Sequence, residues 1–269
     1  MAIRDITLGQ YYPGESLIHR LDPRVKIIGT LAFLVSLFLI TSFSFFAFAA
    51  ICLLVCIKIS TVPIKFMAKG LKAIMLLIVL TMLVNMFFTP GTPIFTIWKI
   101  NITEEGIYRA CFMAIRLVLL IFGSSLLTLT TKPIELTDGL ERLMSPLAKL
   151  HLPAHEIAMM MTIALRFIPT LLEETDKIMK AQTARGADFE NGNLKEKAKA
   201  LIPLLVPLFV SAFRIAADLA MAMEARCYHG GDGRTRMHEM KMTGKDIAAF
   251  IVLALYFAII IFSRRLNIF

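Results

Sequence analysis

Apolar residues along this chain gather in a few long runs. The first run extends from Val25 to Ile59, which is longer than the roughly 20 residues that one transmembrane helix needs. The polar residues 41–44 interrupt it. The pattern therefore predicts two short, tightly linked spans at about 25–41 and 44–59.

Three further apolar runs cover about 73–88, 108–128 and 247–262. The run 73–88 ends at Thr89-Pro90-Gly91-Thr92-Pro93, a sequence typical of a turn. In total the pattern predicts an all-α integral membrane protein with about five transmembrane helices.

The section between the fourth and the last run is different in kind. A short amphipathic helix begins near Ile134 and is limited by Pro146. Its leucines recur at helical spacing, and such a helix can lie in the membrane interface.

Two long helices follow, at roughly 154–185 and 194–228, and each combines an apolar stretch with a charged face. At about 1.5 Å per residue each is about 45 Å long, far enough to leave the membrane. Their internal prolines, which are expected to kink them, are Pro169, Pro203 and Pro207. An apolarity count also permits 199–213 as a sixth span, although its two prolines and the flanking charges argue against a full crossing.

These predictions divide the chain into three parts. Residues 1–130 form an N-terminal membrane domain with four spans. Residues 131–246 form a cytoplasmic or juxtamembrane domain, and 247–269 form a C-terminal span.

Composition and charge agree with a membrane protein. The chain has 269 residues, 57% of them hydrophobic, and 29 Lys+Arg against 20 Asp+Glu. With a cytoplasmic N-terminus, most basic residues fall on the cytoplasmic side, as the positive-inside rule requires. Arg264 and Arg265 are the exception, although residues at a span end can snorkel to headgroups. The net charge of +9 is thus explained by topology, and nucleic-acid binding is not predicted for so apolar a chain.

Arg116 lies inside the predicted span 108–128, where a charge costs about 3 kcal/mol or more. It is interpreted either as part of a buried pair or subunit interface, or as a residue near the end of a shorter span that snorkels.

The two long helices end alike, one at Ala184-Arg185-Gly186 and the other at Ala225-Arg226-Cys227. An arginine beside small residues suits docking to a partner, because close approach is possible and the guanidinium can fork onto a carboxylate or carbonyls. The alternative is an ordinary helix C-cap. The repetition of the pattern favours docking.

No residue pattern predicts catalysis. The five histidines are isolated, the four cysteines are scattered, and no phosphate-binding glycine loop is present. No catalytic, metal or cofactor site is therefore expected. Methionines on the long helices, such as Met159 and Met160, suit an adaptable contact face, with gap filling in a helix bundle as the alternative.

At this point the chain resembles the transmembrane T component (EcfT) of energy-coupling factor transporters. The resemblance covers essentially the whole chain and is carried by the order and spacing of several segments. These are the two helix ends and the stretches 9–14, 19–26, 165–174 and 222–226.

The resemblance implies a scaffold subunit without chemistry of its own, in the plasma membrane of a prokaryote. Two ATPase subunits would dock on the helix ends, at Ala184, Arg185, Gly186, Ala225, Arg226 and Cys227. A separate S component, which captures the vitamin or metal ion, would pack on apolar residues of the same coupling helices. The residues expected to face it are Met159, Met160, Leu204 and Leu208. Cys227 departs from the family pattern, where Gly is usual, so a left-handed backbone there is costlier.

The overall resemblance favours a shared module for vitamin uptake, and two alternatives to it remain. One is a dedicated cobalt or nickel T component. The other is a self-contained channel or secondary transporter, which would need polar residues or broken helices inside the spans. Arg116 and Asn85 are the noteworthy residues for such a path.

Overall fold

The computed structural model describes residues 11–97, 100–146, 153–187, 189, 194–230 and 242–266. They group into two compact units. The first unit comprises the described residues of Gly9–Gly139 and Glu239–Phe269, and the second those of Leu140–His238.

Helices account for nearly all the described secondary structure, which confirms the predicted all-α class. In chain order the elements are α1 (Pro23–Leu39), α2 (Phe43–Ser60), α3 (Ile64–Phe88), β1 (Pro93–Ile97), β2 (Ile100–Thr103), α4 (Glu104–Thr130), α5 (Pro133–Met144), α6 (Ala154–Ala184), α7 (Leu194–Glu224) and α8 (Gly244–Leu266).

The break between α1 and α2 lies where the polar residues 41–44 predict it. The Asp22 carboxylate caps the start of α1 by accepting from the Arg24 N–H at 2.9 Å, and Pro23 fixes the first helical residue. At the other end Ile40 has extended backbone, which ends the helix. Beyond the break, Phe46 of α2 joins Leu37 of α1 in the core of the first unit.

A small β-hairpin between α3 and α4 is missed by the hydrophobic pattern. Strand β1 pairs with β2 in antiparallel fashion, and α4 then begins at Glu104, earlier than the predicted 108. The Thr103 hydroxyl caps α4 by accepting from the Gly106 N–H at 3.1 Å. Strands of four or five residues are too short to give a clear alternation.

Five helices are long and apolar enough to cross a membrane, within the part of the chain that the structure describes. Three of them, α2, α4 and α8, match predicted spans. The other two are α6 and α7. Helix α3 meets the test as a pair of segments bent by 60°, Ile64–Lys72 and Ile74–Phe88, whereas α1 has 17 residues. By length and composition, the two long helices α6 and α7 thus also qualify as membrane spans.

Arg116 of α4 contacts the end of α1. Its Nη2 donates to the Ile40 carbonyl at 3.3 Å, and the guanidinium carbon lies 5.1 to 5.7 Å from the ring centroids of Phe112, Phe38 and Phe46. Three aromatic faces offset part of the cost of holding a cation at this depth. The structure therefore gives Arg116 an intrachain contact at the α1–α2 corner.

A buried polar cluster, formed by Asp22, Lys26, Thr130 and Asp246, joins the ends of three helices in the first unit. Lys26 Nζ donates to the Thr130 carbonyl at 3.0 Å, at the end of α4. Asp246, at the start of α8, accepts from the Asp22 N–H at 2.8 Å and is only 1% exposed. The cluster therefore holds the start of α1, the end of α4 and the start of α8 together.

His19 lies directly beside the cluster, and its carbonyl also accepts from Lys26 Nζ, at 2.9 Å. Burial lowers the pKa of the His19 imidazole, which favours the neutral ring. In the neutral form Nε2 donates to the Tyr12 carbonyl at 3.1 Å and Nδ1 accepts from the Ser16 hydroxyl at 2.6 Å. These bonds hold the segment before α1 in place.

Candidate docking site on the two long helices

Helices α6 and α7 run antiparallel in the second unit. The Tyr228 hydroxyl, just beyond the end of α7, donates to the Met159 sulfur near the start of α6 at 3.2 Å. At the opposite end, Gln182 Nε2 of α6 donates to the Pro203 carbonyl of α7 at 3.3 Å. The end of each helix therefore lies beside the beginning of the other.

The end of α6 is closed by a Schellman motif. The Ala187 N–H donates to the Gln182 carbonyl and the Gly186 N–H donates to the Thr183 carbonyl, both at 3.0 Å. Gly186 has φ +92°, the left-handed conformation that this motif requires and that glycine adopts without penalty. The geometry places Arg185 at the C-cap, with its side chain exposed.

The end of α7 has the same two capping hydrogen bonds. The Tyr228 N–H donates to the Met223 carbonyl at 3.1 Å, and the Cys227 N–H donates to the Glu224 carbonyl at 2.8 Å. Cys227 takes the left-handed position with φ +54°, although it carries a Cβ. Arg226 corresponds to Arg185 and is likewise exposed. The two tips share one backbone geometry despite the substitution of cysteine for glycine.

Each tip thus presents an exposed arginine at the end of a helix, preceded by an exposed alanine, Ala184 or Ala225. The guanidinium offers a planar fork of donors that suits a carboxylate or a set of carbonyls. The small neighbour keeps the approach to it unobstructed. The two interpretations of the sequence are compatible, since the motif is a C-cap and also leaves the arginine exposed; the docking role stays a prediction.

The two tips are far apart. The contacts Tyr228–Met159 and Gln182–Pro203 are separated by 23 residues along α6, which corresponds to about 35 Å of helix. Arg185 and Arg226 lie just beyond these contacts. The two arginines therefore lie at opposite ends of the helix pair.

The apolar surface of these helices is largely uncovered within the chain. Only 6% of the most apolar stretch of α6, and 6% of that of α7, is buried. On α7 an exposed stripe recurs at spacings of four, three and four residues. It consists of Ile202, Val206, Phe209 and Phe213, with exposed fractions of 58 to 73%. An apolar face of this size requires lipid or a partner protein.

The four residues predicted to face a partner differ in the exposure of their side chains. Met160 is 61% exposed, and Met159 is half-buried with its sulfur against Tyr228. Leu208 is half-buried and Leu204 is buried. The role of these residues stays a prediction. The sequence shows that the residues of the stripe from Ile202 to Phe213 are apolar. It does not show that their side chains are exposed.

Both long helices continue through their prolines, Pro169 in α6 and Pro203 and Pro207 in α7. A proline inside a helix removes the hydrogen bond to the carbonyl four residues earlier. At each of these positions one backbone hydrogen bond of the helix is therefore missing, yet the helix does not end there.

Exchanging the residues at the left-handed positions should have opposite effects at the two tips. Cys227→Gly is expected to stabilise the end of α7 by about 1 kcal/mol, and Gly186→Ala to destabilise the end of α6 by a similar amount. Nothing lies within 4 Å of a Cβ added at Gly186, so the cost there is purely one of backbone conformation. Amide hydrogen exchange at Tyr228 and Ala187 measures both changes. Slower exchange at Ala187 in Gly186→Ala would contradict the assignment.

Comparison with known proteins gives the family. The family model for CbiQ, described as cobalt transport protein, matches residues 14–238. This chain belongs to the CbiQ family. The resemblance based on the helix ends and the N-terminal segments is thereby confirmed.

Relatives of this CbiQ-family chain match it over almost their whole length. A protein of Clostridium kluyveri is 57% identical over 97% of this chain and 98% of its own length. One from Thermosediminibacter oceani is 56% identical over 97% and 99%, and one from Bacillus subtilis 49% over 96% and 97%. Each carries the name energy-coupling factor transporter transmembrane protein EcfT.

Proposed function

We propose that this multi-pass membrane protein is the transmembrane scaffold subunit of an energy-coupling factor importer, without catalytic activity of its own. It would couple ATP hydrolysis by two ATPase subunits to movement of a substrate-binding S component that takes up a vitamin. The observation that carries the proposal is the pair of exposed arginine tips at opposite ends of one antiparallel helix pair.

The tips suit two ATPase subunits because they are equivalent and far apart. Arg185 and Arg226 occupy the same position in the same capping motif, so two related partners would meet the same local geometry. Their separation of about 35 Å or more along the helix pair gives each partner its own contact. The docking residues are Ala184, Arg185, Gly186, Ala225, Arg226 and Cys227.

The mechanical step follows from this geometry. When the two ATPases close on ATP, they would displace the tips, and the helices would transmit the displacement along their length. Pro169, Pro203 and Pro207 interrupt the backbone ladder within these helices and would allow them to bend.

The S component would pack on the apolar surface between the tips. We extend the predicted set of Met159, Met160, Leu204 and Leu208 by the exposed stripe of Ile202, Val206, Phe209 and Phe213. Methionine and phenylalanine side chains provide large apolar contacts that adapt to more than one partner. A face of this kind suits a scaffold that exchanges S components.

Charge distribution supports a location in the cell membrane with the N-terminus in the cytoplasm. Lys58, at the end of α2, and Lys65, Lys69 and Lys72, in the first half of α3, are exposed and share one side with the start of α1 under this orientation. The positive-inside rule places that side in the cytoplasm.

A vitamin importer is favoured over a dedicated cobalt or nickel transporter. The family description mentions cobalt, whereas the relatives from Clostridium kluyveri, Thermosediminibacter oceani and Bacillus subtilis carry the name EcfT. In such systems the substrate would be selected by the S component, so this subunit need not contact it.

A self-contained channel or secondary transporter finds little support in the spans. Asn85 donates to the Thr81 carbonyl of its own helix at 2.8 Å, and Arg116 donates to Ile40 at the α1–α2 corner. Both polar side chains thus have contacts that stabilise helices, and neither is needed to line a substrate path.

Co-purification tests the assembly directly. Tagged protein extracted from its native membranes in mild detergent is expected to bring down two ATPases in equal amounts, together with a small hydrophobic membrane protein. Mass spectrometry of the purified complex measures the composition. A chain that is purified alone, yet mediates uptake after reconstitution in vesicles, would support a secondary transporter and overturn the proposal.

A further inference from the structure

Pro207 deprives one carbonyl of α7 of its helical partner. In an α-helix the N–H of residue 207 would donate to the carbonyl of residue 203, but proline has no N–H. The Pro203 carbonyl therefore lacks its usual intrahelical bond, although α7 continues through this position. Pro203 is exposed, so without a partner in the chain its carbonyl would be left to solvent or lipid.

The missing bond is supplied from the neighbouring helix. Gln182 Nε2 of α6 donates to the Pro203 carbonyl at 3.3 Å. A glutamine side chain has two amide hydrogens and can reach across a helix interface. The bond therefore joins α6 to α7 at the point where the backbone ladder of α7 is interrupted.

Gln182 is also part of the tip of α6. Its backbone carbonyl accepts from the Ala187 N–H at 3.0 Å and from the Arg185 N–H at 3.1 Å. The same residue thus closes the capping motif that holds Arg185 and contacts the proline break in α7. A displacement of the Arg185 tip would therefore move Gln182 through these backbone bonds. Gln182 would in turn move the Pro203 carbonyl through its side-chain bond.

We infer that Gln182 is a positioning residue that transmits movement of the Arg185 tip into the Pro203–Pro207 break of α7. The inference rests on the proposed function, in which a partner moves that tip. It assigns the link between the two helices to one hydrogen bond, made possible by one proline. Arg185 would bind the partner, and Gln182 would transmit the resulting displacement to the exposed apolar stripe that begins at Ile202.

A double-mutant cycle with Pro207 tests this link. Gln182→Met keeps the length of the side chain but removes the donor, while Pro207→Ala restores the N–H that can pair with the Pro203 carbonyl. In the assembled complex, Gln182→Met is expected to lower substrate uptake per ATP hydrolysed by about fivefold, the effect of losing one neutral hydrogen bond. In the Pro207→Ala background the same change should have almost no effect, because the carbonyl is already satisfied.

Lys180→Met is the matched control, since Lys180 is exposed two residues earlier on the same helix. It should leave uptake per ATP unchanged. An equal loss in the Gln182→Met protein with and without Pro207, or no loss in either, would overturn the inference.

Hydrogen exchange on the purified chain separates this inference from the proposed function. Exchange at Leu204 and Leu205 should be faster in Gln182→Met and return to the parent rate in the double variant. Uniform exchange in all four proteins overturns the inference even where the ATPases dock normally. Conversely, ATPases that stay bound after loss of both tip arginines overturn the proposed function, whatever the exchange data show.

Discussion

Replacing both Arg185 and Arg226 by alanine is expected to abolish substrate uptake while the membrane-embedded helices remain folded. Both side chains are exposed just beyond the ends of α6 and α7, so their loss removes no internal packing. It does remove the forked donors that would hold the two ATPases, and loss of a desolvated arginine from the centre of an interface typically costs about 2 kcal/mol or more. Two such losses should reduce the assembled complex by more than about a hundredfold. Pull-down of the ATPases and uptake assays measure the two effects.

Arg214→Ala provides the matched control, because Arg214 is an exposed arginine in the middle of α7. It should keep both docking and uptake. Single variants should each lose one contact and show intermediate docking, and lysine at either tip should rescue only in part because it lacks the planar fork. Full uptake in the Arg185→Ala/Arg226→Ala protein would refute the proposed docking site.

The second large effect is expected at Asp246, in the first turn of α8. Its carboxylate accepts from the Thr243 N–H and hydroxyl, both at 2.7 Å, which ties Thr243 to the first turn of α8. It also accepts from the Asp22 N–H and faces Lys26. Asp246→Ala would leave the buried Asp22 N–H without its acceptor and remove one of the carboxylates that offset the Lys26 charge. We expect a loss of about 3 kcal/mol in the free energy of unfolding.

Thermal unfolding of the purified protein in detergent measures this loss as a lower midpoint temperature. Lys245→Ala, at the adjacent exposed position, should leave the midpoint unchanged. Asp246→Asn should be intermediate, since the amide oxygen still accepts while the charge is gone. A midpoint in Asp246→Ala equal to that of the control would show that the polar cluster does not hold α8 in place.

Much of the fold follows from the sequence because the constraints on a membrane protein are local. A span must be about 20 apolar residues long, and its backbone must satisfy itself as a helix. The sequence therefore predicts the polar break at 41–44, the helix α5 before Pro146 and the two long helices. The hairpin β1–β2 could not, because its strands are too short to show a period.

The sequence predicts the candidate docking site only in part. The residues of the two tips stand out because the pattern Ala-Arg-small occurs twice at a helix end. That both tips share a Schellman motif, with Cys227 left-handed like Gly186, depends on backbone conformation. Cysteine has no preference for that conformation, so composition gives no signal for it.

The sequence by itself determined the class of the protein, the positions of its helices and the two arginine motifs, because hydrophobic period and helix capping act over a few residues. Only the tertiary structure decided that α6 and α7 run antiparallel, that their tips lie at opposite ends, and that Gln182 completes the break at Pro207. It also decided that Lys26, Asp22 and Asp246 meet in one cluster. These contacts join residues that are from about 20 to more than 200 positions apart, and no local rule fixes which distant partner a side chain will find.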